Sequence, residues 1–176
     1  MPRSFAQSTD LTCPHCGHTF SAEVWLIIDA GERPDLLART RAGELHDVPC
    51  PHCGDSGTVD APLLIYLPDP AQGQPPLIFS PAQQSSREQT QQQGGALLGI
   101  LADALGPAWQ DAWWEQISTV PRALLSVALS DDPAAAIVLA ATLIAADDQA
   151  AKRMEASGAA SPLARILPFT DPPNFT

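Results

Sequence analysis

Hydrophobic and polar positions alternate through residues 20–28. Phe20, Ala22, Val24, Leu26 and Ile28 fall on one side of an extended chain, the period of a strand with one buried face. Trp25 and Ile27 lie on the other side, so that face is partly covered too. Before this strand, residues 1–12 are expected to be a frayed end followed by a short strand. After it, residues 29–34 read as a turn, with Pro34 suited to the first turn of a helix over residues 35–41. Leu36, Leu37 and Thr40 are the inward positions, and Gly43 is the stop. Residues 58–61 read as a short strand and residues 63–67 as a second good one. The turn-rich run 68–74 leads to a return strand over residues 77–79. Pro75, Pro76 and Pro81 flank that strand and place it at a sheet edge.

The pattern changes after residue 82. Six glutamines crowd residues 83–93, followed by Gly94 and Gly95. The segment 83–95 is either a flexible linker or a helix start, with Ser85-Ser86-Arg87-Glu88 as a capping box. From Ala96 the period is helical: Leu97, Leu98, Leu101 and Leu105 share a face. Gly106-Pro107 breaks that helix, a second is expected over residues 107–117, and Pro121 opens a third. Asp132-Pro133 begins the longest, running to about Met154, ahead of a disordered tail. The expected organisation is thus a sheet domain over 1–82, the linker or helix start, and an all-α domain over 96–176.

Composition narrows the classes. Proline is 18 of 176 residues, about twice its ordinary share, which fits short elements and many breaks. The net charge is −11, spread evenly over the chain. Neither half offers the Lys- and Arg-rich face that phosphate binding needs, so nucleic acid is an unlikely partner. The N-terminus lacks the apolar stretch of an export signal, and the longest largely apolar run, residues 134–146, is too short to span a bilayer. A cytoplasmic location without membrane contact is therefore expected. Thiols stay reduced there, so cysteine pairs point to metal before disulfide.

All four cysteines sit in one phrase that occurs twice: Cys13-Pro14-His15-Cys16-Gly17 and Cys50-Pro51-His52-Cys53-Gly54. A C-x2-C turn aims two sulfurs at one point, and two such turns complete a tetrahedron. Cys13, Cys16, Cys50 and Cys53 are the candidate ligands, with Zn2+ as the expected ion and iron as the alternative. Four thiolates leave no open position, so the expected role is structural. The fold class that follows is α+β: a small zinc-ribbon-like antiparallel sheet with one helix, then the all-α domain.

Other chemistry on these residues is weaker. C-P-H-C resembles the active tetrapeptide of thioredoxin-fold disulfide oxidases, but such a motif belongs once, at a helix N-terminus. Residues 49–53 match half of the zinc-deaminase signature, and the H-x-E half is missing. His15, His18, His46 and His52 read as surface or strand histidines. The pairs Asp131-Asp132 and Asp147-Asp148 read as caps and solvated ends. Trp109 and Trp113 share a helix face and read as core anchors, whereas Trp114 points elsewhere and is the interaction candidate.

Residues 10–80 resemble the CpXC family of bacterial and archaeal domains. The resemblance rests on Thr12-Cys13-Pro14-His15-Cys16-Gly17, on Gly43-Glu44-Leu45 ahead of the second CPHCG, and on Pro62-Leu63-Leu64-Ile65-Tyr66 after it. It implies a metal site and no particular activity. The reading that results is a non-enzymatic, zinc-binding protein-interaction protein with an unidentified protein partner. A thiol–disulfide oxidoreductase and a nucleic-acid-binding ribbon are the alternatives.

Overall fold

The structure is a computed structural model that describes residues 2–70 and 75–130. Strand β1 (Phe5–Thr12) and strand β2 (Thr19–Asp29) form an antiparallel hairpin in which Thr12 faces Thr19 and Gln7 faces Val24. The N-terminus is tied down, not frayed. The amides of Arg3 and Ser4 both donate to Glu32 Oε2 at 2.9 Å, and Arg3 Nε meets Asp29 Oδ2 at 2.7 Å. Asp29 is fully buried, and its other oxygen accepts the Gly31 amide at 2.8 Å. That carboxylate therefore shapes the turn into helix α1 (Pro34–Arg41) and anchors the chain start at once.

Beyond α1, strands β3 (Asp47–Pro49) and β4 (Ser56–Thr58) make a two-stranded antiparallel sheet of their own. Strand β5 (Leu63–Tyr66) then pairs parallel to β2, and β6 (Leu77–Ser80) pairs antiparallel to β5. Helix α2 (Arg87–Leu105) crosses over the sheet, followed by a 3-10 turn (Gly106–Ala108) and a single-turn helix α3 (Trp113–Gln116). Strand β7 (Ile117–Thr119) returns parallel to β6, and one more turn leads into the short helix α4 (Leu125–Ala128). The main sheet has the order β1-β2-β5-β6-β7.

The protein is α+β, as expected, but several finer expectations are corrected. The sheet is mixed and not purely antiparallel. Two of its pairs, β2–β5 and β6–β7, are parallel, and parallel neighbours need a long crossover. The segment holding α1 and the β3–β4 hairpin is the first crossover, and α2 with α3 is the second. The strand at residues 77–80 is internal, because β7 pairs with its far side. The helix expected over 107–117 is broken into a turn, one helical turn and a strand. Ile117 and Thr119 are β-branched, which suits them to the strand. The described part of the second half is therefore not all helical. The long helix expected after Asp132, and the carboxylate pairs around it, lie outside the described residues.

Both faces of the sheet are covered. On one face Ile27, Leu64, Tyr66, Leu77 and Phe79 pack with Leu97, Leu98, Leu101 and Leu105 of α2, the four leucines the spacing had aligned. On the other, Ile28, Leu63, Ile65 and Ile78 pack with Leu36 of α1 and with Leu125 and Leu129. This is why β5 and β6 read as near-continuous apolar runs: every residue in them is buried. Helix α2 begins one residue later than the Ser85–Glu88 pattern predicts. Ser86 is the N-cap, receiving the Gln89 amide at 3.2 Å, while the Gln89 side chain accepts the Ser86 amide at 2.8 Å. The glutamine-rich stretch is helix, and it runs unbroken through Gly94 and Gly95. No helix among the described residues is long and apolar enough to cross a membrane.

Candidate metal centre

Each CPHCG phrase is the turn of a hairpin. Residues 13–18 connect β1 to β2, and residues 50–55 connect β3 to β4. The two turns repeat the same backbone bonds. Cys13 donates its amide to the His18 carbonyl at 2.9 Å, and Cys50 does so to Asp55 at 2.8 Å. Gly17 donates to the Cys13 carbonyl and Gly54 to the Cys50 carbonyl, both at 2.9 Å. Closing the turn takes a left-handed residue, and the glycines supply it at φ +72° and +75°.

Only the crossover insertion brings the two turns together. The β3–β4 hairpin stands against the end of the β1–β2 hairpin and sets all four sulfurs within 4.8 Å of one another. Cys13 Sγ lies 3.6 Å from Cys53 Sγ, and Cys16 Sγ lies 3.8 Å from Cys50 Sγ. A tetrahedral ion with metal–sulfur bonds of about 2.3 Å holds its sulfurs about 3.8 Å apart. A disulfide needs about 2.05 Å, and all four cysteines are free thiols. The sulfur positions therefore fit one tetrahedral metal ion. Among the described residues no other group of three or more Cys, His, Asp or Glu side chains converges this way.

The site has an inner and an outer half. Cys13 and Cys50 are buried, while Cys16 and Cys53 are exposed, so each turn contributes one sulfur of each kind. Beside the inner pair, a crevice of about 10 Å³ lies between Leu11, Phe20, Val48 and Val59. That is room for roughly one water. The His18 and His52 rings stack at 5.2 Å between centroids, so the turns also touch through imidazole.

Four thiols at this distance cannot all ionise without a cation among them. Desolvation pushes the Cys50 thiol up, but the backbone amides of Cys53 and His52, together with hydrogen bonds from the Cys13 and Cys53 thiols, outweigh it and bring the group down to about 7. At Cys53 the Asp55 amide favours the thiolate. Desolvation and hydrogen bonds with the other three cysteines prevail and raise it to about 12. Cys16 is raised as well, although the His18 amide opposes the shift. The first thiolate forms readily and makes the next ones costly, which is the charge problem a divalent cation removes.

The other singled-out residues lie elsewhere. His15, His18 and His52 are exposed, as expected, and none joins the cluster. His46 is not a surface histidine: it is buried under the start of β3. Its Nε2 lies 2.7 Å from the Trp25 carbonyl, and its Nδ1 lies 2.5 Å from Nη1 of Arg122. Arg122 also donates from Nη2 to the Ala61 carbonyl. Nη1 can only donate, so Nδ1 accepts and Nε2 carries the proton to Trp25. Burial, and next the Arg122 charge, depress this imidazole to about 4. This clasp fastens the β3–β4 hairpin to the main sheet. Nothing local in the sequence foretells it, since His46 and Arg122 are far apart in the chain. Trp113 is buried against Tyr66 at 5.3 Å, Trp109 meets Trp113 edge-on at 5.4 Å, and Trp114 is 47% exposed.

No curated protein and no solved structure matches the chain. A family model described as CpXC protein does match it, over residues 11–113. The match passes beyond residue 80, where the resemblance in the sequence stopped, and takes in α2 as well as both cysteine turns. With more than half its length accounted for in this way, the chain belongs to the CpXC family.

Proposed function

We propose that this is a non-enzymatic protein-interaction protein in the cytoplasm, whose Cys13, Cys16, Cys50 and Cys53 hold one structural Zn2+. The observation that carries the metal reading is the sulfur geometry. Distances of 3.6 and 3.8 Å match the edges of a zinc–thiolate tetrahedron. A structural role is supported by the position of the site, where it joins two hairpins, and by four thiolates filling every tetrahedral place. The interaction role is supported by Trp114, the one large hydrophobic side chain that is exposed among the described residues.

Metal analysis of the reduced, purified protein is expected to find one zinc per chain. Less than half an equivalent of any metal would overturn the site, and a coloured, iron-loaded protein would replace zinc with iron. Capture of partners from the native cell, compared between the parent and Trp114→Ala, tests the interaction role. The thiol-exchange alternative has one point in its favour, the lowered Cys50 thiol. That thiol is buried, however, and sits in a strand-to-strand turn where no helix dipole assists it.

A further inference from the structure

The two edges of the main sheet are unlike. β7 has three residues, and Pro121 stands two residues beyond its end. Short strands and prolines are the devices that keep a sheet edge from pairing with another chain. β1 has eight residues, its register runs unbroken from Ala6 to Thr12, and it contains no Pro, Lys or Arg.

The direction of its backbone groups follows from one bond. The Cys13 amide points at β2, where it meets the His18 carbonyl. Backbone direction alternates along a strand, so Leu11, Thr9 and Gln7 also point at β2, while Thr12, Asp10 and Ser8 point away. The short Thr12 Oγ1–Thr19 Oγ1 distance of 3.2 Å agrees, since side chains sit closer across a pair that does not exchange backbone bonds. Three amides and three carbonyls therefore line an edge that no strand among the described residues pairs with, and the side chains of the same three residues are exposed.

The charge on the strand itself has one sign, and the cation on the same face of the hairpin, Arg33 over the Trp25 ring at 4.7 Å, is paired with Asp35 at 2.7 Å. From Ser4 to Glu32 the chain has no Lys or Arg. Asp29 and Glu32 are occupied with the N-terminus, whereas Asp10 and Glu23 are exposed and form no ion pair among the described residues. Ser8 faces Glu23 and Ser21 faces Asp10, so both carboxylates lie on one face of the hairpin. A second copy of this chain would bring the same carboxylates and another net charge of −11 to the edge.

We propose that the outer edge of β1 docks an extended, basic segment of another protein, which adds to the sheet as a sixth strand beside Ser8, Asp10 and Thr12. This adds to the interaction role above a second surface, separate from Trp114, with a partner chemistry of its own, and it rests on that role. The test uses the metal-loaded chain and two synthetic octapeptides, one alternating Lys and Val and the other Glu and Val. Amide spectra are expected to shift at Ser8, Asp10 and Thr12 with the Lys peptide, less so at high salt, and not with the Glu peptide.

Ser8→Pro removes an outward amide and leaves the β1–β2 ladder intact, and it is expected to weaken binding at least about tenfold. Asp10→Lys, which leaves the backbone untouched, is expected to weaken it about fivefold. Binding that survives both variants, or that maps to Trp114, overturns the edge and leaves the interaction role standing. Failure of the Lys peptide to bind at millimolar concentration also overturns the edge. A dimer that Ser8→Pro abolishes would assign the edge to a second copy and overturn the basic partner. The interaction role itself falls only if native capture yields no partner for the parent chain.

Discussion

Strands β5 and β6 bury all of their residues, with helices on both faces. Strands β3 and β4 have three residues each and bury none. A two-stranded sheet of this length does not hold itself together in water. The sheet centre is stabilised by apolar area removed from water, which responds little to pH or thiol chemistry. At the end that carries the cysteine turns, the four sulfurs converge and the His46–Arg122 clasp ties the hairpin down, so the proposed metal would hold this end together. One chain thus contains two kinds of stability, and conditions that strip metal should act on one end first.

Removing the metal is the sharpest way to separate the two ends. Chelation, or Cys50→Ser, deletes a contribution on the order of 10 kcal/mol of apparent binding free energy. Hydrogen exchange should show protection lost in β3, β4 and the cysteine turns, with β5 and β6 still protected. Equal loss throughout would erase the distinction. The converse change is Leu101→Ala under α2, at a fully buried position. It is expected to cost about 2–5 kcal/mol in urea unfolding and to leave the metal content unchanged.

The clasp between the ends should carry a pH signature. His46 is neutral in the folded chain, depressed to about 4 from an ordinary value of 6.5, with Arg122, Asp60 and Arg39 as its charged neighbours. Its contribution is fully present above pH 6.5. It is lost as pH falls towards 4, because the unfolded chain takes up a proton the folded one refuses. The total is about 3 kcal/mol. His46→Asn should flatten the difference in urea stability between pH 7 and pH 5, and an unchanged slope would remove His46 from this role. The smallest effect is expected at Trp114. Trp114→Ala should lower urea stability by only about 1 kcal/mol, since the ring is 47% exposed and packs edge-on against Trp109, while reducing partner capture.

Strand β2, helix α1 and the leucine face of α2 were legible because period and punctuation are local properties. Strand direction was not. Leu63, Leu64 and Ile65 look alike in a parallel or an antiparallel neighbourhood, and the choice depends on where the crossover puts the next strand. β7 was missed for a similar reason. Its three residues follow a tryptophan-rich helical pattern, and pairing with β6 outweighs that local signal. His46 reads as an ordinary polar residue ahead of a turn, until burial and Arg122 give it a partner across the fold.

The sequence by itself determined the four cysteines, their turns and the left-handed glycines that close them. All of these are fixed within six residues of chain, where stereochemistry leaves few choices. The tertiary structure decided that the two turns meet. It did so by inserting the second hairpin into a parallel crossover, by clasping it through His46 and Arg122, and by burying one sulfur from each turn while leaving the other exposed. Those choices depend on packing between segments far apart in the chain, and no local pattern carries that information.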